Sequence, residues 1–129
     1  MEQTPSLMIL IAGPYRSGTG DDPEKIEANM HRMHQAALSV YQKGHVPMMG
    51  EWLALPLIRL AGSTQPGDEI FTEYFHPAAI RLLEKCDAVL RIGDSSQGAD
   101  DMIRTAQELG KIVFLHPADI PEVAELLPC

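Results

Sequence analysis

Leu7-Met8-Ile9-Leu10-Ile11-Ala12-Gly13-Pro14-Tyr15-Arg16-Ser17-Gly18 is the stretch on which the fold turns. Six apolar residues run together and stop at Gly-Pro, the pattern of a short buried strand entering a tight turn. Pro23 to Lys43 changes period. Ile26, Met30, Met33, Ala37 and Val40 recur at steps of four and three, one face of a helix. Asp22 before Pro23 suits an N-cap followed by proline in the first turn, and Gly44 suits the stop. His45 to Met49 is a second strand, interrupted by Pro47.

The alternation continues. Trp52 to Ala61 reads as a short helix with Pro56 as a break, and residues 63–67 as a loop. Asp68 to Lys85 reads as helix, kinked or divided at Pro77. Ala88 to Ile92 is a third strand, followed by the polar loop Gly93-Asp94-Ser95-Ser96-Gln97-Gly98. Ala99 to Leu109 is helical, with Met102, Ala106 and Leu109 as a core stripe. Lys111 to Leu115 is a fourth strand, and Ile120 to Leu127 a terminal helix. The order β-α-β-α-β-α-β-α implies an α/β fold: a flavodoxin-like or Rossmann-like three-layer sandwich around a parallel sheet of four to five strands.

The 129 residues make one domain, 1–129. A chain 45% hydrophobic and 22% charged is neither disordered nor fibrous, and no apolar run is long enough to span a bilayer. The net charge of −8 argues against nucleic-acid polymers as partners and leaves a small phosphorylated ligand open. The amino-terminal residues have no basic region ahead of the apolar run, so the expectation is a cytoplasmic protein. Neither Cys86 nor Cys129 has metal-ligand spacing, and Cys86 reads as a small buried hydrophobe.

Open parallel sheets bind ligands beyond the carboxyl ends of their strands, where the strand order reverses. With strand order 2-1-3-4, the loops after the first and third strands share a crevice. The first loop brings backbone amides at Gly13, a rigid Pro14, an aromatic face at Tyr15 and a cation at Arg16. Its plain alternative is a tight strand-to-helix turn. The second brings Asp94, Ser95, Ser96 and Gly98 to a helix entry that either holds an anion or is simply capped by serine. The spaced glycines of a dinucleotide site and the Gly-Lys-Ser/Thr of a Walker loop are both missing. His31 and His34 share a helix face but lack a third ligand, so no metal is expected. Glu51, just after the second strand, either lines the crevice or is a carboxylate favoured by a helix start.

These stretches together resemble the nucleoside 2-deoxyribosyltransferase-like superfamily, which includes small bacterial members related to nucleotide N-glycosidases. The matching segments are Ile9 to Arg16, Ala37-Leu38 through Gly44-His45-Val46-Pro47, Cys86 to Leu90, and Ser96-Gln97-Gly98-Ala99 with Ala106, Gly110 and Val113. The resemblance implies a flavodoxin-like homo-oligomer without a cofactor. It implies a nucleoside or nucleoside monophosphate as substrate, cleaved at the N-glycosidic bond. A glutamate one turn past the Ser-x-Gly loop attacks the sugar, aided by a second carboxylate.

Both expected carboxylates are replaced here. Four residues after Gly98 stands Met102, and about eight residues before Asp87 stands Ala79. Asp101 is the adjacent carboxylate, about 100° around the helix. His76 lies one turn before Ala79. The candidate catalytic groups are therefore Asp101, His76 and Glu51. One expectation is N-glycosidic cleavage or deoxyribosyl transfer by displaced groups, and the other a catalytically silent nucleotide-binding module. A phosphoryl-ester hydrolase is a third, disfavoured by the lack of an acidic metal cluster at the strand ends.

Overall fold

In the computed structural model, which describes residues 5–123, four parallel strands form one sheet in the order β2-β1-β3-β4. The strands are β1 (Met8–Ala12), β2 (Val46–Met49), β3 (Ala88–Arg91) and β4 (Ile112–Phe114). The helices are α1 (Pro23–Gln42), α2 (Gly50–Leu60), α3 (Glu69–Lys85) and α4 (Gln97–Glu108). The central strand β1 pairs Ile9 with Pro47 on one side and with Ala88 on the other. Pro47 lacks an N–H, and the edge position of β2 tolerates that loss.

Strand alternation builds two cores. Ile9, Ile11, Ala88 and Leu90 face one way and meet Met33, Ala37 and Val40 of α1. Leu10, Ala12 and Val89 face the other way and meet Ala79 and Leu83 of α3 with Met102 and Ala106 of α4. The result is an α/β fold with helices on both faces, as in a flavodoxin-like three-layer sandwich. Helix α2 packs on α3 through Ala54, Ile58 and Phe71.

Several elements differ from the sequence reading. Helix α2 starts at Gly50 rather than Trp52 and runs through Pro56, and α3 runs unbroken through Pro77. Each proline frees the carbonyl one turn earlier, on Trp52 and Glu73; both residues are exposed, so water can satisfy it. Leu109 is 44% exposed and not part of the stripe, because α4 ends at Glu108 and Leu109 caps it. A 3-10 turn spans Pro117–Asp119, and residues 120–123 are not helical. The remainder of the expected terminal helix, and Cys129, lie outside the described residues. No helix among the described residues is long and apolar enough to cross a membrane.

The ends of the elements are closed by their own sequence. Asp22 accepts a hydrogen bond from the Glu24 N–H, Asp68 from the Phe71 N–H and Ser96 from the Ala99 N–H, each at a helix start. The N–H groups of Phe71 and Thr64 hold the Asp68 carboxyl at a pKa of about 2. Asp87 accepts the Met8 N–H and fixes the start of β1. His45, buried, ties three segments. Its Nδ1 accepts the Leu7 N–H at 3.0 Å, so Nε2 carries the proton and donates to the Pro121 carbonyl at 2.7 Å.

Candidate functional site

Beyond the carboxyl ends of β1 and β3 lies a cavity of about 290 Å³. The reversal of strand order at this pair is what opens it. Gly13 permits the crossing of the two loops, because a Cβ there would stand 2.8 Å from Cγ1 of Ile92. From the first loop, Gly13, Tyr15, Arg16 and Ser17 line the cavity; from the second, Ser96 and Gly98 do. Pro14 packs against Gly93 and belongs with Asp94 and Ser95 to the wall of a neighbouring cavity. The first loop is therefore a dividing ridge.

One wall of the first cavity is aromatic. Tyr15 stacks on Phe75, with centroids 5.8 Å apart, and Phe75 on Phe71 at 4.8 Å. The rings are within 16° of parallel. The Arg16 guanidinium lies 5.3 Å from the Phe71 centroid. It is held by Asp21 at 2.8 Å and 2.9 Å, and that contact raises the Arg16 pKa and lowers that of Asp21. The loop backbone at Gly67, with φ +80°, packs on the same guanidinium.

Glu51 is the buried acid of this cavity. It is 7% exposed and is in no ion pair among the described residues. Burial pushes its carboxyl up from 4.5 to about 7, and its own backbone N–H offsets this only in part. Burial also raises the Tyr15 phenol above its ordinary value, and the Glu51 charge adds to that. Glu51 reaches the cavity because α2 begins at Gly50, which lies against Ala79 of α3.

The remaining sequence candidates separate. His76 is exposed and on the cavity wall. Met102 and Ala79 are buried members of the same wall and offer it no oxygen. Asp101 is not part of either cavity wall; its carboxylate pairs with Arg104 on the same helix. Asp94 is held by its carbonyl, which accepts from Arg91 at 2.9 Å. Ser96 is buried, and its Oγ accepts from Ser17 Oγ at 3.1 Å as well as from the Ala99 N–H. His34 stacks on Trp52 and accepts its Nε1–H at 3.0 Å.

Sequence reasoning passed over Phe71 and Phe75, and also Lys25, Asn29 and Arg32. The three α1 residues follow one another at steps of four and three, a signal of one helix face. They line the second cavity, about 300 Å³ in volume. The site as built offers aromatic faces for a flat ring, hydroxyls and a helix N-terminus for an anion, and one acid close to half-ionised at neutral pH. No protein-family model matches the sequence, and no curated protein matches it.

Proposed function

We propose that this protein breaks the N-glycosidic bond of a nucleoside or nucleoside monophosphate, with Glu51 as the acid. The observation that carries the reading is Glu51 itself: a buried carboxyl, unpaired with any cation among the described residues, raised to about 7 in a cavity walled by parallel aromatic rings. The resemblance of the two loops to the deoxyribosyltransferase-like superfamily supports the substrate class.

The base lies along Tyr15 and Phe75, and a 5′-phosphate meets Ser17, Ser96 and the N-terminal turn of α4 at Gly98. The carbon–nitrogen bond breaks with its electron pair leaving on the base. Glu51 gives its proton to that nitrogen. Water adds to the oxocarbenium-like carbon, and the proton it releases passes to His76 on the exposed wall; in transfer, a second base replaces the water. Bulk solvent then restores both groups.

The test is chromatographic detection of free base from a panel of ribo- and deoxyribonucleosides and their 5′-monophosphates. Glu51→Gln is expected to lower turnover by about 10²- to 10⁴-fold. Asp101→Asn is expected to keep it, since Asp101 faces Arg104. No base from any substrate rejects the enzyme.

One observation favours a second reading, a nucleotide-binding module without turnover. Both positions at which the superfamily pattern expects a carboxylate, Met102 and Ala79, are apolar and packed. That reading expects nucleotide binding with no base release by the parent protein.

The proposal includes association of copies of the chain in the cytoplasm, with neither a nucleic-acid polymer nor a cofactor required. The exposed Leu53, Leu57 and Leu60 of α2 support association, and the buried Cys86, free among the described residues, suits a reducing compartment.

A further inference from the structure

We propose that the ligand carries a chain of more than one phosphate, whose outer phosphates lie in the second cavity and are gripped by Lys25 and Arg32. This rests on the reading above for the nucleoside and first phosphate in the first cavity, and extends its ligand class from the monophosphate to the nucleoside di- or triphosphate.

The second cavity is as large as the first, about 300 Å³ against 290 Å³. Its wall carries two cations from α1, Lys25 and Arg32, against one carboxylate, Asp94, all three exposed. Neither cation is in an ion pair among the described residues. Arg32 instead donates to the neutral amide oxygen of Asn29. Asn29 is buried, and its amide N–H donates to the carbonyls of Tyr15 at 2.9 Å and Ser17 at 3.4 Å. One amide thus fixes the ridge between the cavities and orients a guanidinium beside it. In a chain of net charge −8, two cations without carboxylate partners among the described residues, in one polar cavity, form a local anion site.

The two cavities meet at hydroxyls. Ser17 belongs to both walls, and its Oγ donates to Ser96 Oγ at 3.1 Å. Ser96 faces the first cavity and Ser95 the second. A phosphate chain crossing there meets hydroxyl and backbone donors, then the two cations. A first phosphate is met by Ser96 and Gly98 within the nucleoside cavity, so a second cavity of this volume is more room than a monophosphate needs.

The test is calorimetric titration of the Glu51→Gln protein, in which turnover is expected to be slowed about 10²- to 10⁴-fold, at fixed ionic strength, with base release read on the parent protein. The probes are adenosine and thymidine, their 5′-mono-, di- and triphosphates, and inorganic tripolyphosphate. Affinity is expected to rise from monophosphate to triphosphate, and tripolyphosphate is expected to bind alone. Lys25→Gln with Arg32→Gln is expected to weaken triphosphate and tripolyphosphate by about tenfold or more while leaving the nucleosides unchanged. Lys25→Gln alone, at an exposed position outside the Asn29 contacts, is expected to give part of that loss if the double variant unfolds.

Triphosphates that bind no tighter than monophosphates, or equally well to both variants, overturn the proposal. Tripolyphosphate binding that depends on Lys25 and Arg32, with no nucleoside binding or base release, upholds the anion cavity and rejects the nucleotide reading. Base release from nucleosides, with no gain from added phosphates, does the reverse.

Discussion

Gly50 and Ala79 touch so closely that a Cβ on Gly50 would stand 2.8 Å from the Cβ of Ala79. Carbon atoms pack best at about 3.5–4.0 Å, so no side chain fits at position 50 without moving a helix. The contact seats the first turn of α2 on α3, and the residue that follows is Glu51. Gly50→Ala is expected to cost about 1–3 kcal/mol in urea unfolding. Adding Ala79→Gly should return most of that loss, and the double-mutant coupling is the check on contact rather than helix propensity.

Glu51 makes the folded state pH-sensitive. Its carboxyl titrates at about 7 when folded and near its ordinary 4.5 when unfolded. A raised acid stabilises the fold fully below pH 4.5, and that contribution is lost as pH rises to 7. The loss is about 3 kcal/mol in order of magnitude. Glu51→Gln removes the titration, so the variant should be more stable than the parent at pH 8 and nearly equal to it at pH 4. Thermal unfolding at the two pH values reads this directly. A variant less stable than the parent at pH 8 would mean that the carboxylate has a partner and is not strained.

Base release should carry the same signature from the opposite side. If the protonated Glu51 is the acid, kcat/KM falls above pH about 7, where the carboxyl loses its proton. A rate that rises through pH 7 would instead make Glu51 a base or nucleophile. The profile of the parent on its best substrate decides between the two.

The sequence carried the fold because its signals were local. The run Ile9 to Ala12, the stripe Ile26 to Val40 and the Gly13-Pro14 and Gly44 stops each depend on a few neighbours, and the alternation implies a parallel sheet; the order β2-β1-β3-β4 is set by long-range pairing that the alternation does not encode. The site was legible only in part. Tyr15, Arg16, Ser96 and Gly98 lie where strand-end logic puts them. Phe71 and Phe75 look like ordinary core residues until α3 is seen to continue through Pro77 and pack its aromatic side against Tyr15. Asp101 neighbours Met102 in sequence, but one helical step turns it towards Arg104. The depth of Glu51 depends on the Gly50–Ala79 approach, a contact between residues 29 positions apart that no local pattern encodes.

His45 is a structural histidine, and its removal should be felt in stability alone. It is 2% exposed and satisfies the Leu7 N–H and the Pro121 carbonyl at once. His45→Leu keeps the volume and strands both groups. Both hydrogen bonds are part-buried and each contributes about 0.5–1.5 kcal/mol net, so the loss should be about 1–3 kcal/mol. Chemical denaturation gives the magnitude. Hydrogen exchange should show the Leu7 amide among the first to open, because the side chain that accepted it is gone.

Association of copies is open to a direct test on α2. Leu53, Leu57 and Leu60 recur at steps of four and three, and Leu60 is 87% exposed. A row of large apolar side chains on an exposed helix face is the kind of surface a homo-oligomer buries. Sedimentation at micromolar concentration should show a species larger than the monomer. Leu57→Glu with Leu60→Glu should return it to the monomer, since two carboxylates in a closed interface are strongly unfavourable. Both substitutions lie at exposed positions, so the unfolding midpoint of the resulting monomer should no longer vary with protein concentration, whereas that of the parent should. A parent that sediments as a monomer at every concentration removes association from the proposed function and leaves the cavity chemistry untouched.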